Sequence, residues 1–231
     1  MTNNDHSYRD QEHNDGSRIL IVTAVDAEKD AVVRGLAGST KADVIAAGVG
    51  PAYAAASTAA ALAAAAAPYR LVISAGIGGG FDGTAAVGSL VVADRIIAAD
   101  LGAESQDGFI SVDELGFGTA RLEADSAWSH RFYEAIRTAG LEAVLAPILT
   151  VSTATGTAAT AAAHAARIPG AAAEGMEGYG VAVAAQRLGI PFTELRAISN
   201  AVGPRDRAAW RIGEALASLE AASAAILEVL E

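Results

Sequence analysis

The chain has no cysteine, so neither a disulfide nor thiolate chemistry can be part of it. Its four histidines, His6, His13, His130 and His164, include no i, i+4 pair, and no dedicated metal site is expected. Basic residues are the scarce charge, with 16 Lys and Arg against 27 Asp and Glu and a net charge of −11. Nucleic acid and anionic membrane both require a concentrated basic face, so neither is an expected partner. Long apolar runs are also missing. The segment PAYAAASTAAALAAAAAP, residues 51–68, comes nearest, but eighteen residues of mostly Ala are too weakly apolar and too short to span a bilayer. Pro51 suits the first turn of a helix and Pro68 suits a stop, so the segment is expected to be a helix packed closely on a sheet. Residues 1–17 are polar and lack the basic and apolar regions of a signal peptide. They are expected to form a disordered tail, and the protein is expected to be cytoplasmic.

What is present is a 231-residue chain, 52% hydrophobic, with apolar strands alternating with helical segments. Residues 18–24, 42–47, 70–75, 87–99, 143–152, 171–174 and 191–199 read as strands. Residues 26–36, 51–68, 126–139, 157–167, 176–188 and 207–230 read as helices, and 101–124 reads as irregular. Strict alternation predicts one three-layer α/β/α domain over 18–231 with a mixed, mostly parallel central sheet.

Two predicted strands run into glycine, at Gly48-Val49-Gly50 and at Gly76-Ile77-Gly78-Gly79-Gly80. Neither stretch completes a dinucleotide fingerprint or a P-loop, which argues against a dehydrogenase or an NTPase. Backbone N–H groups of Ile77, Gly78 and Gly79 are left to face a small ligand. Three polar residues stand at element ends: Glu28 just past the first strand, Glu177 within Gly175-Met176-Glu177-Gly178, and Asn200 closing the last strand. Each has a plain alternative. Glu28 and Glu177 could be ordinary first-turn acids favoured by the helix dipole, and Asn200 a turn residue. In open α/β sheets, however, ligands bind at the carboxyl ends of strands.

The pieces TAVDAEKDAV, AAGVG, ISAGIGGGF, VGSLVVAD, GMEG and LRAISN occur in order across residues 18–220. Together they resemble the purine nucleosidase and phosphorylase superfamily, especially its methylthioadenosine/S-adenosylhomocysteine nucleosidase branch. TVSTATGT at 150–157, LRAISNAVGPRDR at 195–207 and Trp210 are similar to the futalosine hydrolase family. That resemblance implies a cofactor-free hydrolase of a purine nucleoside, futalosine, in menaquinone biosynthesis. It implies that Glu28 activates water below C1′, that Glu177 holds the ribose hydroxyls with Met176 against the sugar, and that Asn200 stabilises the departing base. Ile77, Gly78, Gly79, Phe81, Val151, Thr153, Gly175 and Ser199 are implied substrate contacts. A homo-oligomer is implied as well, with a partner subunit closing the 5′ pocket.

Adenine nucleosidases carry Asp after the Ser where this chain has Asn200. A side-chain amide both donates and accepts, which matches the O6 and protonated N7 of a 6-oxopurine such as hypoxanthine. Phosphorolysis would need Arg side chains around a dianion. The glycine stretch carries none, the first loop offers Asp26 and Glu28, and Arg34 is expected to face elsewhere, so hydrolysis is favoured. An adenine-releasing nucleosidase, an inosine phosphorylase and a catalytically silent nucleoside-binding protein stay as alternatives. Arg205, Asp206, Arg207 and Trp210 are either surface charges at a helix start or a lid contacting the substrate's 5′ aromatic carboxylate.

Overall fold

Ile19-Leu20-Ile21-Val22-Thr23 is apolar on both faces, and such a run is stable as a strand only where both faces are covered. The computed structural model describes residues 18–230, so the expected tail at 1–17 lies outside the described residues. The strands are β1 (Ile19–Thr23), β2 (Ala42–Ala46), β3 (Leu71–Gly80), β4 (Leu90–Ala98), β5 (Gly102–Ser105), β6 (Gly108–Ser111), β7 (Arg121–Glu123), β8 (Ala143–Thr150), β9 (Ala173–Gly175) and β10 (Phe192–Ala201). The helices are α1 (Asp26–Gly35), α2 (Pro51–Ala64), α3 (Val112–Leu115), α4 (Ser126–Thr138), α5 (Ala158–Arg167), α6 (Gly178–Arg187) and α7 (Ile212–Leu227).

The main sheet runs β10-β4-β8-β9-β3-β1-β2, with β7 added to β4. Pairs β1–β2, β1–β3, β3–β10, β4–β8 and β8–β9 are parallel, while β4–β10, β3–β9 and β4–β7 are antiparallel. Because β3 pairs with both β9 and β10, five of these strands close into a ring. Ile19 and Ile21 face a core shared with α1, α4 and α7, through Val32, Phe132, Ile136 and Leu219. Leu20 and Val22 face the opposite core, shared with α2 and α6 through Ala54, Leu62 and Val181. The Ala-rich helix is a packing device. A Cβ on Gly180 of α6 would lie 2.1 Å from the carbonyl oxygen of Pro51, so small residues permit the close approach of α2.

Three expectations need correction. Gly76–Gly80 is not a loop, because β3 continues through it, paired with β10 and β9. Those glycines are there for close approach: a Cβ on Gly78 would lie 2.7 Å from the Glu174 carbonyl oxygen, and one on Gly80 2.3 Å from that of Ala85. Residues 101–124 are not irregular. They hold the β5–β6 hairpin, α3 and β7, and Ser111 caps α3 by accepting from the Glu114 N–H. The closing helix begins at Ile212, after a short 3₁₀ turn at Arg207–Ala209.

Candidate active site

A cleft of about 350 Å³ opens where the carboxyl ends of β1, β3 and β10 meet β9. Its lining includes Glu28, Ile77, Gly78, Gly79, Gly175, Met176, Glu177, Ser199 and Asn200. Nine of the twelve residues singled out from sequence therefore converge. The other three do not reach it. Phe81 and Val151 are buried in a separate core cluster with Leu149 and Ile168, and Thr153 is exposed outside the lining. Ala154 and Thr155, from the same stretch as Thr153, line the cleft instead.

Glu28 sits at the third position of α1 and turns back over the helix start. Its Oε2 accepts from the N–H groups of Ala24 and Val25, at 2.9 and 3.3 Å. Its Oε1 accepts from the Ile77 N–H at 2.9 Å. The Ile77 N–H is thus committed to Glu28 and is not free for a ligand, a second correction at the glycine stretch. The carboxylate is buried and fixed by backbone N–H groups from two parts of the chain, and Glu28 lines the cleft. Glu177 is the N-cap of α6 and is also buried. Its Oε1 accepts from the Gly50 N–H at 3.2 Å and its Oε2 from the Met176 N–H at 3.3 Å.

Asn200 follows a register shift between Ile198 and Asn200 in the β3–β10 ladder. Such irregularities re-aim side chains at strand ends. The Ser199 hydroxyl lies 2.8 Å from Asn200 Oδ1 and 3.2 Å from the Gly78 carbonyl, and its one hydrogen serves either acceptor. Asn200 Nδ2 donates one hydrogen to the Ala201 carbonyl at 2.9 Å, leaving its second hydrogen for a ligand.

Beneath these groups lies a residue the sequence reasoning missed. Arg196 is 1% exposed. Its Nε donates to Glu194 Oε1 at 2.7 Å, and its Nη2 lies 3.2 Å from Glu177 Oε2 and 3.1 Å from the Ser74 hydroxyl. Its Nη1 donates to the Ile77 carbonyl at 3.3 Å. Burial acts to deprotonate Arg196, but the charges of Glu194, Glu177 and Glu28 outweigh it and hold the guanidinium pKa above its ordinary value. Burial raises the Glu194 pKa, opposed by the charge and hydrogen bond of Arg196, with Glu177 adding to the rise. The signal was present, since Glu194 and Arg196 stand two apart in TELRAIS and so share one face of a strand. The flanking glycines follow from this network. A Cβ on Gly76 would lie 2.6 Å from Glu28 Oε1 and 2.7 Å from Arg196 Nη1, and one on Gly175 2.9 Å from Arg196 Cζ.

At the rim, Arg205 lies over the Trp210 ring, 5.1 Å from its centroid, and both line the cleft. No salt bridge among the described residues involves Arg205. Asp206 caps the 3₁₀ turn and Arg207 is exposed outside the lining. Arg34 pairs with Glu220 at 2.7 Å, away from the cleft as expected. Among the described residues, no group of three or more His, Asp or Glu is placed to hold a metal ion. No helix there is long and apolar enough to cross a membrane.

Residues 19–231 match the phosphorylase superfamily. A futalosine hydrolase of Streptomyces coelicolor is 55% identical, over 92% of this chain and 96% of the relative. The chain belongs to the phosphorylase superfamily and, within it, to the futalosine hydrolase family. A second member, the futalosine hydrolase of Acidothermus cellulolyticus, is 50% identical over 90% of this chain and 89% of its own. Among solved structures, the 5′-methylthioadenosine/S-adenosylhomocysteine nucleosidase of Neisseria meningitidis, in complex with methylthio-immucillin-A, superposes with a TM-score of 0.77. It covers 92% of this chain and 98% of its own at 19% identity, a likeness of fold. The α/β architecture expected from the alternation of elements is that of the phosphorylase superfamily, with a mixed sheet.

Proposed function

We propose that this protein hydrolyses the N-glycosidic bond of futalosine, releasing hypoxanthine and dehypoxanthine futalosine in menaquinone biosynthesis. The observation that carries hydrolysis is the charge at the cleft floor. The buried carboxylate of Glu28 lines it, and the nearest buried cation, Arg196, is engaged by Glu177 and Glu194. A phosphate dianion would be repelled there, whereas water is oriented and activated by a fixed carboxylate.

Glycosidic cleavage passes through an oxocarbenium-like state. Glu28 accepts the proton of the attacking water. Glu177, held by the Gly50 and Met176 N–H groups and by Arg196, accepts hydrogen bonds from the ribose hydroxyls as the ring becomes positive. The departing base takes its proton at N7 from solvent, and Asn200 presents its amide to O6 and N7, steadied by Ser199. Arg205, in no salt bridge among the described residues and stacked on Trp210, suits the carboxylate of the 5′ aromatic tail. The enzyme forms one nucleosidase domain over 18–231. It acts in the cytoplasm without a cofactor, as a homo-oligomer. Val49 and Tyr53, 52% and 70% exposed at the start of α2, are surface that a second subunit would cover.

The test is base release from futalosine, inosine and methylthioadenosine, each with and without phosphate, by wild type and Glu28→Gln. Hypoxanthine from futalosine without phosphate, lost by about 10²-fold or more in the variant, is the expected result. Adenine from methylthioadenosine, phosphate dependence, or full turnover by Glu28→Gln would overturn the reading.

A further inference from the structure

The mechanism above leaves one buried acid in the cleft unused. Glu174 is 7% exposed and lines the same cavity as Asn200. The strand pairing fixes how the two stand. Across the β3–β9 ladder Glu174 is opposite Gly79, and across the β3–β10 ladder Asn200 is opposite the same Gly79. Residues in register on neighbouring strands present side chains to one face, so Glu174 and Asn200 flank Gly79 with backbones about 10 Å apart, two strand spacings. Gly79 contributes no side chain between them. A Cβ there would lie 3.3 Å from Asn200 Nδ2. The result is a slot with a glycine floor, an amide on one wall and a carboxylate on the other.

The carboxylate is aimed. Thr155 donates its N–H to Glu174 Oε1 at 2.8 Å and its hydroxyl to Oε2. His164 Nδ1 stands 3.6 Å from Oε2 and 3.4 Å from the Thr155 hydroxyl. Each oxygen keeps a further lone pair, and an ionised carboxylate only accepts. A 6-oxopurine carries a proton at N1 beside its O6 acceptor, whereas adenine presents a bare acceptor at N1.

We propose that Glu174 is a specificity-determining residue that accepts the N1–H of a 6-oxopurine base across the slot from Asn200. The proposal rests on the 6-oxopurine reading above and extends it to the opposite edge of the base. Discrimination is then divided between two walls: the amide reads O6 and N7, and the carboxylate rejects any base without a proton at N1. A site built to hydrogen-bond a polar group discriminates strongly against a ligand that lacks it. The competing role is structural, with Glu174 only anchoring the turn at Thr155. That role predicts equal loss for every base.

The test is product inhibition of the full-length enzyme by hypoxanthine, 1-methylhypoxanthine and adenine, in wild type, Glu174→Ala and Glu174→Gln. Wild type is expected to prefer hypoxanthine over 1-methylhypoxanthine by about tenfold or more, the worth of one hydrogen bond to a charged group. In Glu174→Ala the ratio should fall to near one, with Glu174→Gln between. A wild-type ratio near one overturns the proposal without any variant. A ratio preserved in Glu174→Ala overturns it and leaves Glu174 its anchoring role. Hypoxanthine release from futalosine is measured on the same samples. Its absence from wild type overturns the functional reading as well, whereas a flat ratio with release intact overturns this inference alone.

Discussion

Replacing Arg196 by Met removes the cation that pairs with Glu194 and Glu177 while nearly keeping side-chain length. Glu194 is fully buried, its Oε1 meets Arg196 Nε at 2.7 Å, and its Oε2 has no hydrogen-bond partner among the described residues. Glu177 would lose Nη2 at 3.2 Å but keep two backbone N–H groups. Breaking a buried pair by removing one partner costs about 3–5 kcal/mol. With a urea slope near 3 kcal/mol/M, the unfolding midpoint should fall by about 1–2 M. The pH dependence has a definite sign. Burial already holds the folded Glu194 pKa above its ordinary value of 4.5, with Arg196 pulling it down, and the substitution lets it rise further. A folded pKa above the unfolded one gives stability that is fully present below the unfolded value and lost as pH rises through the folded value. The variant should therefore be closer to wild type at pH 5 than at pH 8, and adding Glu194→Gln should recover much of the loss at pH 8. Urea unfolding followed by far-UV circular dichroism reads all three. A loss below about 1 kcal/mol, or one equal at both pH values, would refute the claim that Arg196 neutralises this floor.

Gly178→Ala would place a Cβ 1.9 Å from Glu194 Oε2, a contact that backbone and buried network must both yield to. A loss of about 3 kcal/mol, or a melting point lower by roughly 6–12 °C, is expected, and a shift within about 2 °C would show that the site can relax. Asn200→Asp replaces a donor-acceptor amide with an acid, so the ratio of kcat/KM values should move from hypoxanthine toward adenine nucleosides. An unchanged ratio would remove Asn200 from base recognition. Arg205→Ala should raise KM for futalosine about tenfold with kcat held and leave inosine unaffected. Equal effects on both nucleosides would place Arg205 outside the tail site.

Whatever depends on neighbours along the chain was legible in the residues alone. The run at 19–23, apolar on both faces, specified a covered strand, and the Ala helix between Pro51 and Pro68 specified a closely packed one. The order of motifs brought Glu28, Glu177 and Asn200 to notice, and all three line one cleft. Local composition misled where pairing partners lay far away. Five residues of glycine and isoleucine at 76–80 look like a loop, yet they extend β3, since strands remote in sequence supply the ladder on both sides. Those glycines make room for Arg196, Glu28 and neighbouring backbone, a packing demand with no local signature. The β5–β6 hairpin did leave a trace, in Asp107-Gly108 and in the Ser111–Glu114 cap, although its strands are too short and polar to show a period. Glu174 is one acid among many along the chain. Only the ring closure, which sets β9 and β10 on either side of Gly79, put its carboxylate across the cleft from Asn200. Side-chain periodicity is a property of the segment, but which walls face each other across a cavity is a property of the register between segments, and tertiary packing alone fixes that.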